Sequence, residues 1–361
     1  MNAFGISAFV AMEQSANKNI EYLKMARSFG YQKLFTSLHI PEADYQVFAP
    51  ECRKLLDAAG ELGYEVTADI SPSFWTKLGV LPRDLRSIGL TTLRIDYGFD
   101  YLKIRELAEV SRCRIELNAS VITETELNIF LSSGLDRRFL SAGHNYYPRP
   151  ETGLGFEIFM RRSEGFKTRG IPVSAFIPCL QNPRGPFFAG LPTLESHRSM
   201  STVEAVRQLW TSCGVDSIFF GDPAVPALVL ESAASQFSDY SGPVMLRIRT
   251  ELLQSACKSI LWAPLHTNRL DAAASVVRSQ ESRGLCLSPI LPQQIVRARR
   301  RGDVTIDNVS YGRYMGELQV VLQDLPADNR VNVVGRVLDE DLCLLECLTP
   351  GRSFCLKEAN L

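Results

Sequence analysis

Eight short β-type runs alternate with amphipathic stretches through the first two thirds of the chain. That alternation limits the fold more than any other feature. The runs are FGISAFV (4–10), KLFTSL (33–38), EVTADI (65–70), TLRIDY (92–97), RIELNAS (114–120), RFLSAGH (138–144), PVSAFIP (172–178) and DSIFFGD (216–222). Helical patterns such as NKNIEYLKMARSFG, APECRKLLDAAGELG and TVEAVRQLWTSCG lie between them. Gly30, Gly63, Gly134, Gly170 and Gly214 stand where C-caps are expected, and Thr123 followed by Glu126 reads as a capping box. Strand then helix, repeated to eight strands, predicts an α/β fold: a parallel sheet closed into a (β/α)8 barrel. The rival is an open doubly wound sheet, which should carry G-x-G-x-x-G after the first strand. The chain reads AFVAMEQSANKN there and has no P-loop.

After about residue 240 the texture changes. SDYSGP (238–243) reads as a linker. Beyond it come VMLRIRT, SILWAPLHT, GLCLSPI, GDVTIDN, YMGELQVVLQDLP, RVNVVGRVL and LLECLTPG, strand-like runs between turn signals, with helix expected near DAAASVVRSQ. The expected division is a barrel over 1–240 and a smaller β-rich domain over 244–361. The basic run RARRR (297–301) reads as a solvated turn.

With 39 Lys+Arg against 40 Asp+Glu, the chain has no global field to steer it to nucleic acid or an anionic membrane, so any anion site must be local. The nine cysteines include no C-x-x-C pair and read as buried reduced thiols. The four histidines show no metal-ligand spacing, so no metal and no nucleotide cofactor are expected. The N-terminus lacks a basic n-region and a cleavage site, and no apolar run is long enough to span a membrane. A cytoplasmic protein is expected; a homodimer is one open arrangement.

In such a barrel the active site lies at the carboxyl ends of the strands. The polar residues there are His39 and Glu42, Asp69, Arg94 with Asp96 and Tyr97, Asn118, then His144, Asn145, Arg149 and Glu151. The loop after the seventh strand adds Arg184 and Arg198, and the eighth strand ends at Asp222. No lysine stands in these motifs, which argues against Schiff-base chemistry. Carboxylates among amides and aromatics suit glycoside hydrolysis. An arginine after strand seven lies where barrels often hold a phosphate. Together these suggest a phosphorylated sugar. A sugar-phosphate isomerase or epimerase and a non-catalytic sugar-phosphate sensor are the competing readings.

Asp69 and Asp96 close adjacent strands, which lie ~4.8 Å apart, so their carboxyls could sit about 5 Å apart, as a retaining mechanism needs. Glu151 and Glu42 are the reserve acids.

At FTSLHIPE, ADISP, LRIDYGF, LNAS, HNYYPRPETGLG, GLPTLESHR and GDP, and at HTNRLDAAASVVRSQESRG, GDVTIDN, YGRYMGE and DLPADNRVNVVGRV in the second part, the sequence resembles the 6-phospho-N-acetylmuramidases. The resemblance implies a barrel followed by a cyclophilin-like β domain. It also implies a cytosolic, exo-acting glycosidase that cleaves 6-phospho-N-acetylmuramyl-β-1,4-N-acetylglucosamine in cell-wall recycling. Its substrate, a phosphorylated amino-sugar disaccharide, carries a lactyl carboxylate and a phosphate. Arg149, Arg184 and Arg198 are the expected partners of those anions. Asn118, His144 and Asn145 are expected to hold hydroxyls or the acetamide, with His39, Glu42, Arg94, Tyr97 and Asp222 completing the site. The acetamide also opens a substrate-assisted route.

Overall fold

The computed structural model describes residues 3–10, 14–38, 45–70, 80–95, 101–132, 134–236, 242–251 and 253–359. The chain divides into two compact units, the second made of Ser238–Leu361 with the short segment Trp210–Gly214.

The first unit is a closed barrel of eight parallel strands in sequence order. They are β1 (Ala3–Ser7), β2 (Lys33–Ser37), β3 (Glu65–Ile70), β4 (Thr92–Ile95), β5 (Arg114–Asn118), β6 (Leu140–Gly143), β7 (Val173–Ile177) and β8 (Ser217–Phe220). β1 begins one residue before its expected run, and the other seven each fall within theirs. The strands are buried on both faces, as a sheet covered by helices requires. Around them lie α1 (Ala16–Ser28), α2 (Tyr45–Glu61), α3 (Tyr101–Ser111), α4 (Glu124–Ser132), α5 (Phe156–Lys167), α6 (Thr202–Cys213) and α7 (Ala227–Ala234). The capping box forms: Thr123 N–H donates to Glu126 at 2.8 Å, and Glu126 N–H donates back to the Thr123 hydroxyl at 3.2 Å.

Phe9, Phe35, Phe176 and Phe219 fill the barrel interior, with Tyr146 packed on them. Phe35 meets Phe176 edge-on at 5.1 Å, and Tyr146 meets Phe176 edge-on at 5.2 Å. This plug gives the polar rim a dry floor.

The second unit is a seven-stranded sheet in the order β10-β15-β9-β14-β12-β13-β11. Its strands are β9 (Val244–Thr250), β10 (His266–Thr267), β11 (Val276–Arg278), β12 (Asp303–Asp307), β13 (Leu318–Val321), β14 (Val331–Val337) and β15 (Ser353–Glu358). All pairs are antiparallel except β9 with β15. Several local expectations change here. SILW closes α8 (Ser255–Leu261) instead of starting a strand, and DAAASVVRSQ carries strand β11 instead of a helix. GLCLSPI and LLECLTPG run through 3-10 turns. Short apolar runs do not distinguish the two states by period, and the β-branched Val276-Val277 pair favours the strand. RARRR stays partly exposed but is tethered at its start: Arg297 meets the buried Asp303 at 2.6 Å and Glu251 at 3.0 Å.

The described cysteines are free thiols, most of them buried. Among the described residues, no helix is long and apolar enough to cross a membrane.

Candidate active site

Parallel register puts Asp69 beside Arg94 and Arg94 beside Glu116, so β3, β4 and β5 present three charged side chains in one row. Arg94 is only 3% exposed and uses its whole fork. Its Nε lies 3.0 Å from Asp69 Oδ1, its Nη1 3.0 Å from Glu116 Oε1, and its Nη2 donates to Asn145 Oδ1 at 2.7 Å. Asn118 Nδ2 donates to the same Asn145 oxygen at 3.0 Å. Ser174 on β7 donates to Glu116 Oε2 at 3.3 Å. A charge this buried is tolerable only when paired and hydrogen-bonded, which Arg94 and Glu116 achieve together. Asp69 is the more open member, with a side chain 24% exposed.

The loop after β7 is organised by Asp222, which is fully buried. Its Oδ2 accepts from Cys179 N–H at 2.8 Å and Leu191 N–H at 3.1 Å, and its Oδ1 accepts from Arg184 N–H at 2.8 Å. Burial pushes its carboxyl up, and the three amides oppose that shift. The clamp fixes the backbone from which Arg184 reaches back over the Phe9 ring, at 4.6 Å from guanidinium carbon to ring centre. Arg184 Nε is buried with no hydrogen-bond partner. Tyr146 feels both Arg184 and Asp69: burial pushes its phenol up, Asp69 adds to that, and Arg184 opposes it.

Beneath the rim His144 is fully buried, its ring nitrogens 3.2 Å from Ser120 Oγ and 3.0 Å from Ser163 Oγ. Burial, with Arg94 and Arg162 nearby, pushes it down to about 3, so the imidazole is neutral. Ser120 Oγ also accepts from Asn145 N–H at 2.9 Å, and Thr193 donates to Asn145 O at 2.8 Å. His144 therefore sets Asn145 through Ser120. Arg198 binds Glu195 through Nε and Nη2 and donates to the carbonyls of Tyr147, Arg149, Ala189 and Gly190. That set occupies every N–H of the guanidinium, so Arg198 is a loop clamp, and the expected substrate anion finds no donor on it. Glu195, held down to about 2 chiefly by Arg198, also accepts from the amides of Glu151 and Gly153. Arg149 and Glu151 stand exposed on that loop. His39, Glu42, Asp96 and Tyr97 lie outside the described residues. Among the described residues, no group of His, Cys, Asp and Glu could hold a metal ion.

Two family models match the chain, one over each part. The N-terminal model of 6-phospho-N-acetylmuramidase matches residues 4–235, and the C-terminal model matches residues 244–357. The chain belongs to the 6-phospho-N-acetylmuramidase family. Two solved structures are similar to this family member over 99% of its length. One is an uncharacterized B. cereus protein, 29% identical over 99% of that chain, with a TM-score of 0.74. The other is a conserved Enterococcus faecalis protein of unknown function, 35% identical over 97% of that chain, with a TM-score of 0.60. No protein of curated function matches this 6-phospho-N-acetylmuramidase family member.

The structure therefore brings together Asp69, Arg94, Asn118 and Asn145, and sets Arg184 on a fixed loop. Sequence reasoning missed Glu116, Ser174, Tyr146 and Thr193. Glu116 had a readable signal: it lies two residues before Asn118, hence on the same strand face, in an otherwise apolar barrel strand.

Proposed function

We propose that this chain is a cytoplasmic, exo-acting 6-phospho-N-acetylmuramidase of peptidoglycan recycling. It hydrolyses the β-1,4 bond between 6-phospho-N-acetylmuramic acid and N-acetylglucosamine. The observation that carries this reading is the row Asp69–Arg94–Asn145–Asn118 at the carboxyl ends of adjacent barrel strands, in a chain of this family. Arg94 gives Asp69 a counter-charge, which suits an anion that attacks the anomeric carbon or orients the acetamide. Asp96, which follows β4 in the sequence, is the proposed acid, with Glu151 in reserve. Asn118 and Asn145 hold hydroxyl or amide groups of the sugar. Arg184 takes the phosphate: it has an unsatisfied buried N–H, and it stands on the loop where barrels often hold that group. Arg149 is the exposed partner for the lactyl carboxylate. The second unit is read as the cyclophilin-like domain of the family.

The test is incubation with the 6-phosphorylated muramyl disaccharide and with its unphosphorylated twin. Release of new reducing ends from the first alone supports the reading. Binding without turnover, or isomerisation without bond cleavage, refutes it.

A further inference from the structure

The amino-terminal rim of the barrel, opposite the proposed active site, carries a second concentration of charge. Arg86 precedes β4, Arg112 and Arg114 lead into β5, and Arg138 and Phe139 precede β6. These residues line a concavity of about 390 Å³, within the range of small-molecule sites. Few carboxylates answer them. Asp136 is bonded to Arg138 at 2.6 Å, and Glu65 is shared between Arg114 at 3.9 Å and Lys33 at 3.8 Å. Arg86 reaches a backbone carbonyl, that of Thr91. In a chain whose formal net charge is -1, this local excess is not a general bias. Phe139 stays 46% exposed on the wall of the same concavity.

The backbone supplies an independent observation. After α1, α2, α4, α5 and α6 the chain turns through a left-handed residue, and each time it is glycine: Gly30, Gly63, Gly134, Gly170 and Gly214. After α3 the same turn is made by Arg112, with φ 57°. An L residue adopts that conformation at a cost that glycine avoids. A long cationic side chain is thus kept where the backbone alone favours none, and it lines the basic concavity.

We propose that this rim is a binding site for a small molecule carrying two or more adjacent phosphate groups. Guanidinium forks from three successive strand openings surround it and match phosphate geometry bidentately. The site is separate from the substrate rim, so its occupancy does not depend on turnover.

Calorimetric titration of the full chain with pyrophosphate and with inorganic phosphate tests this. At this rim pyrophosphate should bind at least roughly tenfold tighter than phosphate, because it makes more charge-assisted contacts. Arg112→Gly removes the guanidinium while relaxing the turn, so the variant should melt no lower than the parent and lose roughly tenfold or more in pyrophosphate affinity. Arg184→Met, at the other rim, should leave that affinity unchanged. Pyrophosphate binding no tighter than phosphate overturns the proposal. So does an Arg112→Gly variant that binds like the parent, or loss of binding in Arg184→Met.

Discussion

Arg94 Nε stands 3.0 Å from Asp69 Oδ1, while the Nη1 of the same guanidinium stands 3.0 Å from Glu116 Oε1. One cation thus serves an open carboxylate and a buried one, and the two should respond differently to substitution. Asp69→Asn leaves Arg94 paired with Glu116, so folding survives. Turnover of the phosphorylated disaccharide should fall by at least ~10²-fold. A variant with near-parental turnover would assign Asp69 to structure alone.

Arg94→Met strands Glu116 in the barrel. Leaving a buried charge unpaired costs about 3–5 kcal/mol, so chemical denaturation should show a loss of that order. Arg94→Lys should not restore it, because an ammonium cannot serve the positions of Nε, Nη1 and Nη2 together. Parental stability in either variant would contradict the network.

Arg184→Met should lower kcat/KM on the phosphorylated disaccharide by roughly 10–100-fold, the worth of about one charge-assisted contact. On the unphosphorylated compound it should change little. Asp222→Asn replaces one acceptor oxygen of the loop clamp with a donor. It should reproduce the Arg184→Met defect more weakly, and Arg184 should then add little to it. Equal losses on both compounds would place Arg184 outside the phosphate contact.

Burial holds His144 down to about 3 and His197 down to about 4. In the unfolded chain both take up a proton near pH 6.5, so below about that pH the unfolded state binds more protons. Their stability contribution is complete above about pH 6.5 and drains as pH falls, by up to ~1.4 kcal/mol per unit for each histidine. Asp307 in the second unit is pushed up to about 7, mainly by burial, and acts in the opposite sense: its protonation favours the native state as pH falls. Between about pH 5 and 6.5, His197→Gln should flatten the dependence of stability on pH, and Asp307→Asn should steepen it. Identical slopes in all three proteins would refute both assignments.

Activity should survive dialysis against EDTA. Loss of turnover that one divalent ion restores would require a metal site that the described residues do not form.

The barrel was legible because its signal is repeated: eight runs, intervening amphipathic segments and glycines at the helix ends leave little room for another topology. In the second unit each element is short and apolar, so period cannot separate helix from strand, and α8 and β11 exchanged character. At the rim, sequence reading found residues by position but could not see how their bonds were spent. Arg184 and Arg198 look equivalent in the sequence, yet one keeps a buried unbonded N–H and the other is saturated by Glu195 and four carbonyls. Arg94 presented a similar choice of partners. Only strand alignment brings the register neighbours Asp69 and Glu116 to its side.

Gly143 on β6 lies directly under the crossing of Arg94 toward Asn145. A methyl group there would run into Glu116 Oε1 and Arg94 Nη1. The empty side chain at 143 and the charged pair at 94 and 116 are therefore one inheritable unit. A lineage that gains alanine at 143 must give up the pair, and one that gives up the pair is released to fill the gap. Divergent members of the family should thus sort into two types at these three positions, with mixed combinations selected against.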